Sequence, residues 1–182
     1  MAFKVTTKTG DDGFTNFGNY RVSKASDVIE VIGSIDTLDA LLGTYFIAGA
    51  VNVQNDIRQA LYEIMSDIYL RNEKDRKFDG DRYLILINGE IEVLRKSLSP
   101  SAACEFVKLH GAFNLTRTQV REAERAFARW EGSHDPFFKN HKSYLNRLSD
   151  YFYLLALRDS ISLNTRKVIE VESVDMNKEV KV

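Results

Sequence analysis

The chain is poor in the residues that staple or punctuate a fold. One cysteine, Cys104, among 182 residues excludes an intramolecular disulfide framework. Two prolines, Pro100 and Pro136, and ten glycines leave long stretches uninterrupted. Charge of neither sign prevails: 25 Lys and Arg stand against 26 Asp and Glu, so a broad nucleic-acid surface is not expected and any anion site must be a local cluster. No apolar run approaches the ~20 residues of a membrane span. The start Met1-Ala2-Phe3-Lys4 lacks a charged-then-apolar leader pattern, which makes the cytoplasm the expected location and a membrane an unexpected partner.

What is present is helical periodicity. With 44% hydrophobic and 28% charged residues the chain suits one domain with a soluble surface. Val28, Val31, Ile35, Leu38, Leu42 and Tyr45 step by three or four, predicting a helix from Ser26 to about Val51. Ile57, Leu61, Ile64 and Ile68 predict a second from about Asn55 to Arg71-Asn72, followed by a polar loop from Glu73 to Gly80. Tyr83 to Ile87 has the composition of a strand, but Ile87, Ile91 and Leu94 continue at helical spacing, so a third helix is assigned there. A fourth runs from Leu115 to Trp130, and a fifth begins near Ser143 with Leu145, Leu148, Phe152 and Leu155 as its stripe. Five helices make an all-α, up-down bundle of ferritin-like kind over residues 26–160. Residues 1–25 and 161–182 bury little by this reading, and the second of these segments is polar and charged.

Two segments carry chemistry. Arg117, Arg121, Glu124 and Arg125 lie at i, i+4, i+7 and i+8, which at about 100° per residue places them on one helix face. Leu115, Val120, Ala123 and Phe127 form the expected opposite stripe. The charged face suits a polyanion, a second subunit, or water alone with ordinary i,i+4 pairing. Near the N-terminus, Thr6 to Asn16 interleaves hydroxyls, Lys8 and two glycines, the ingredients of a phosphate cradle, although no Walker pattern occurs and a polar, unstructured start reads much the same.

Four ordered motifs together resemble the PduO-type ATP:cob(I)alamin adenosyltransferases: Thr7 to Thr15, Gly33-Ser-Ile-Asp36-Thr-Leu-Asp39, Arg121-Glu-Ala-Glu-Arg125, and Tyr144-Leu-Asn146-Arg-Leu-Ser-Asp150. The resemblance implies a homotrimer with ATP and the corrinoid bound at subunit interfaces. It implies that Thr7, Lys8, Thr9, Gly10, Thr15, Asn16 and Lys24 wrap the triphosphate, completed by Arg121, Glu124, Arg125 and Asn146, and that Arg117 pairs with Asp36 of a neighbouring subunit. The implied reaction is attack of Co(I) of cob(I)alamin on C5′ of ATP, with Mg²⁺, Lys and Arg neutralising the departing triphosphate; no resident metal is implied. Phe106 matches the aromatic side chain that keeps the lower axial ligand off cobalt. A reductase or a cobalamin-dependent acceptor enzyme would be a protein partner. A non-catalytic trimer that binds ATP or corrinoid for delivery or sensing is the alternative from another class.

This chain departs from the family pattern in three places. Glu122 stands where a second arginine is usual, Val107-Lys-Leu-His-Gly111 replaces a Pro-Gly-Gly loop, and Asp36-Thr-Leu-Asp39 replaces Asp-Glu-Leu-Asn. Other candidates weigh less. Glu131-Gly-Ser-His134 has a Glu-x-x-His spacing without a second copy, His110 and His141 read as surface or loop residues, and Cys104 reads as a small buried thiol. Asp150, a turn after Asn146, is placed to hold Asn146 or Arg147, or simply to face water as a helix-surface acid.

Overall fold

A computed structural model describes residues 8–71, 73–98 and 107–179, with the side chains of the last helix through Leu163. Among the described residues there are five α-helices and one two-stranded hairpin. The helices are α1 (Asp27–Leu42), α2 (Val51–Leu70), α3 (Gly80–Ser97), α4 (Gly111–Arg129) and α5 (Lys139–Glu179). In the bundle α4 packs against both α5 and α1, α3 lies on α5, and α2 lies on α1. The expected stripes form the core: Val31, Ile35, Leu38 and Leu42 of α1, Ile57, Leu61, Ile64 and Ile68 of α2, and Leu145, Leu148, Phe152 and Leu155 of α5 are buried. On α3, Tyr83, Ile87 and Leu94 turn inward while Ile85 stays exposed, the one-sided pattern of a helix rather than a strand.

The first helix stops at Leu42 instead of continuing to Val51, and Gln54 explains how the chain reverses. Its amide Nε2 donates to the carbonyls of Leu42 and Tyr45, both at 2.6 Å, and its Oε1 accepts from the Ile47 N–H at 2.8 Å. One buried side chain thus satisfies three backbone groups that an ended helix and a buried turn leave without partners. Across the bundle, Thr116 on α4 donates to the Ala112 carbonyl, which leaves its oxygen to accept from the Tyr45 hydroxyl at 2.6 Å.

A second buried polar tie joins three elements. Asp67, at 0% exposure near the end of α2, accepts from the N–H groups of Lys77 (2.6 Å) and Phe78 (3.2 Å) and pairs with His141 Nε2 (2.9 Å) at the start of α5. His141 is therefore a core residue and not the surface or loop residue expected; it sits among the rings of Phe78, Phe137 and Phe138. Its Nδ1 has no partner among the described residues, and burial lowers its pKa below the ordinary value although Asp67 pulls the other way. A neutral ring leaves only a lone pair unsatisfied at Nδ1, whereas protonation would bury an unpaired donor. The α3 N-terminus is drawn close to the same place: a Cβ on Gly80 would lie 2.5 Å from Asn140 Cβ, so only glycine fits.

The N-terminal segment is more ordered than a tail. Strands β1 (Phe14–Phe17) and β2 (Tyr20–Ser23) pair antiparallel around Gly18, whose φ of +60° suits the first position of a tight hairpin loop. Phe17 is 2% exposed and meets the Tyr69 ring of α2 edge-on at 5.0 Å, which corrects the expectation that this segment buries little. At the other end α5 continues as helix to Glu179, past the point where its apolar stripe ends.

Replacing Gln54 by Ala leaves two carbonyls and an N–H unpaired, and denaturant melts should show a loss of about 2–4 kcal/mol at unchanged m-value. Because the folded pKa of His141 lies below its unfolded 6.5, the unfolded chain takes up the proton first as pH falls, so stability present above that value is lost on acidification. The fall in melting temperature between about pH 7.5 and about pH 5.5 should be shallower in His141→Gln than in the native chain.

Candidate functional site

The geometry of α4 begins with its buried side. Thr116, Val120, Ala123, Ala126 and Phe127 face the core; Leu115, expected there, is 57% exposed, and the small hydroxyl of Thr116 takes its place. Phe127 is locked edge-to-face against Trp130 and Phe138 at ring separations of 5.7 Å each. That anchoring sets the rotation of the helix, so Arg117, Arg121 and Arg125 emerge together on the outer side.

The three arginines differ in how they are held. Arg117 Nε donates to Asn114 Oδ1 at 3.1 Å, a neutral partner one turn back. Arg125 is ion-paired with Glu122, whose other oxygen lies 3.6 Å from Arg129. Arg121 makes no hydrogen bond or ion pair among the described residues and its side chain is exposed. Glu124 is half-buried beside it, and Asn146 is exposed on the adjacent α5. Asp150 holds Arg147 at 2.9 Å and not Asn146, which settles which of its two neighbours it restrains.

The hairpin segment forms its own cleft of about 440 Å³, lined by Lys8, Thr9, Asp11, Asp12, Asn16 and Arg21. Three of the residues anticipated for phosphate, Lys8, Thr9 and Asn16, are therefore brought together. Lys8 has a left-handed backbone, φ 59°, a conformation that costs a side-chain-bearing residue something to hold. Lys24 Nζ donates to the Gly10 carbonyl at 2.7 Å, folding the glycine turn against the hairpin, and Thr15 pairs in register with Val22. Arg21, unanticipated, grips Asp12 through both guanidinium ends at 2.9 and 3.0 Å and donates to the Thr9 carbonyl at 2.7 Å. The guanidinium, helped by the Phe14 N–H, holds the Asp12 carboxyl below its usual pKa. The alternation of Tyr20, Arg21, Val22 and Ser23 was the available signal for this strand and its outward arginine.

None of Arg117, Arg121 and Arg125 lines the hairpin cleft. Among the described residues no hydrogen bond or ion pair joins Lys8, Asn16 or Lys24 to Arg117, Arg121 or Arg125. Asp36 is exposed on α1 and likewise makes no ion pair with Arg117 in the same chain, while its neighbour Asp39 takes Arg58 of α2 in a two-point contact at 2.7 and 2.9 Å. Asp39 thus ties α1 to α2. Thr7, Phe106 and Cys104 lie outside the described residues. Glu131 to His134 form a short 3-10 turn, and no group of three or more metal-ligating side chains occurs among the described residues. No described helix is long and apolar enough to cross a membrane.

Fold and site together define a helical bundle with an outward cationic helix face and a hydroxyl- and lysine-bearing hairpin cleft. The family model described as cobalamin adenosyltransferase matches residues 5–158, and the chain belongs to that family. A cobalamin adenosyltransferase of Cupriavidus metallidurans is 29% identical over 165 residues, covering 84% of this chain and 86% of that protein. A corrinoid adenosyltransferase of Bacillus subtilis is 29% identical over 171 residues, covering 84% of each. A variant PduO-type ATP:corrinoid adenosyltransferase from Lactobacillus reuteri, solved with cobalamin and ATP, matches with a TM-score of 0.76 at 22% identity, covering 87% of this chain and 91% of that one. At that identity the likeness establishes the fold.

Arg21→Ala should free residues 8–24 while sparing the bundle. Chymotrypsin should cut between Phe14 and Tyr20 about threefold or more faster, with the global melting temperature nearly unchanged, because an exposed pair orders its own segment and little else.

Proposed function

We propose that this chain transfers the 5′-deoxyadenosyl group from ATP to cob(I)alamin, giving adenosylcobalamin and triphosphate. The observation that carries the reading is Arg121: it lies on α4 with two further arginines, and it alone of the three is without a partner among the described residues. An unpaired, exposed cation flanked at fixed spacing by two more suits a ligand with several negative charges.

In the reaction a Co–C bond forms to the ribose C5′ as the C5′–O bond breaks, and the electron pair leaves with triphosphate. Both the nucleophile and the adenosyl donor are substrates, so the protein's own work is positioning and charge stabilisation. Lys8, Thr9, Gly10, Thr15, Asn16 and Lys24, with Thr7, are proposed to wrap the triphosphate. Arg121, Glu124, Arg125 and Asn146 complete the nucleotide site from the bundle. Mg²⁺ would enter on the phosphates, which supply oxygen ligands and spare the protein a dedicated cage. Phe106 is proposed to hold the lower axial ligand away from cobalt.

The absence of all three arginines from the lining of the hairpin cleft supports a homotrimer in which each site is shared between protomers. Asp36, exposed and unpaired with Arg117 in its own chain, is then available to Arg117 of a neighbour. Such a pair across an interface would fix the two halves of the site in register.

With ATP, Mg²⁺ and chemically reduced cobalamin, the native chain should convert the Co(I) spectrum to that of an alkylcobalamin. Arg121→Ala should lower kcat/KM by about 100-fold or more, the scale expected when a charge-stabilising donor is removed. Nucleotide binding without spectral change or triphosphate release would replace the enzyme by a delivery or sensing protein.

A further inference from the structure

The arginine face of α4 contains a carboxylate that the reaction does not call for. Glu122 lies between Arg121 and Arg125 in sequence, but its side chain runs along the helix toward Arg125 and Arg129 and bridges both guanidiniums. Arg117 is held only by a neutral amide and Arg121 by nothing among the described residues, so Arg125 is the one cation of the face whose charge is already answered. We infer that Glu122 is an internal counter-ion that competes with the nucleotide's phosphates for Arg125 and thereby sets the affinity for ATP. The inference rests on the nucleotide-binding reading of this face.

Three features make the competition reversible. Glu122 and Arg125 are 38% and 55% exposed, so water and salt screen their attraction, and a pair of this kind is weak beside a ligand carrying several charges. Arg129, one turn beyond Arg125, already lies 3.6 Å from the same carboxylate. When a phosphate takes Arg125, Glu122 therefore keeps a partner and is not left as a bare anion beside the ligand. Finally, both contacts draw the carboxylate forward along the helix, away from Arg121, whose guanidinium stays available for first contact. The order of engagement follows: Arg121 meets the phosphates unassisted, and Arg125 joins on release from Glu122.

Calorimetric titration of inorganic triphosphate and of ATP into four chains tests this: native, Glu122→Gln, Arg125→Gln, and the double variant. Glu122→Gln should tighten both ligands about two- to fivefold, the range given by an exposed ion pair. In the Arg125→Gln background the same change should give no gain. Equal gain with and without Arg125 would mean that Glu122 acts by repulsion through space, and no gain in either background would mean that it does not compete; each result overturns the inference. Absence of binding by all four folded chains would remove the nucleotide-binding reading itself, and the inference with it.

Discussion

The rotation of α4 about its own axis fixes where the three arginines of the proposed site emerge. Val120, Ala123 and Phe127 are fully buried or nearly so, and Phe127 is wedged against Trp130 and Phe138. A helix seated by side chains of that size cannot turn without opening a cavity, and loss of such an aromatic from a core costs about 3–5 kcal/mol. Its outer face is therefore rigid, and the positions from which Arg117, Arg121 and Arg125 project are set by residues buried in the core. The arginine tips are held differently, by Asn114, by nothing among the described residues and by Glu122, but their stems share a fixed origin. A site whose task is to align charge depends on this division between a fixed base and adaptable ends.

The neighbours of α4 are held by polar ties as well as by apolar packing. Gln54 closes the turn between α1 and α2, Tyr45 and Thr116 link that turn to α4, and Asp67 with His141 pins the end of α2 to the start of α5. Each tie satisfies backbone or side-chain groups that burial would otherwise leave unpaired, so each specifies one arrangement of the helices over near alternatives that pack equally well. The hairpin is attached more lightly, through Phe17 on Tyr69, and its internal order comes from Arg21 and Lys24 reaching back to Thr9, Gly10 and Asp12. A lightly tethered arm of this kind can adjust to a ligand while the bundle does not.

The helices were legible in the sequence because their apolar residues recur at three- and four-residue steps. Val31, Ile35, Leu38 and Leu42, and likewise Leu145, Leu148, Phe152 and Leu155, are buried as spaced. What escaped was set by single residues or by distant partners. The stop at Leu42 depends on Gln54, and the burial of His141 depends on Asp67, 74 positions away; neither residue looks unusual in its own neighbourhood. The hairpin strands are four residues each, so the alternation from Tyr20 to Ser23 is too brief to stand out from a loop, and only Phe17 of the pair is buried. The C-terminal run of α5 carries no long apolar stripe, so pattern alone read it as tail. On the site side, the shared face of Arg117, Arg121 and Arg125 followed from spacing, whereas the difference between them followed from Glu122 and Asn114, whose side-chain directions a sequence does not state.

That difference bears on how an exposed cationic face can become a strong site. In open water two unit charges 4 Å apart attract by about 1 kcal/mol, and the same pair at the effective dielectric of a partly enclosed surface by about 4 kcal/mol. An arginine face that only meets solvent is thus a poor anion trap however many charges it carries. Enclosure by a second surface raises the value of every contact at once, and it does so most for charges that arrive unpaired. Arg121 already meets that condition; Arg125 meets it only after Glu122 lets go. In the proposed site a counter-ion on the face would keep the open surface from holding stray anions and would yield when a triphosphate and a covering surface act together, which would turn a weak, exposed ion pair into a device for discrimination.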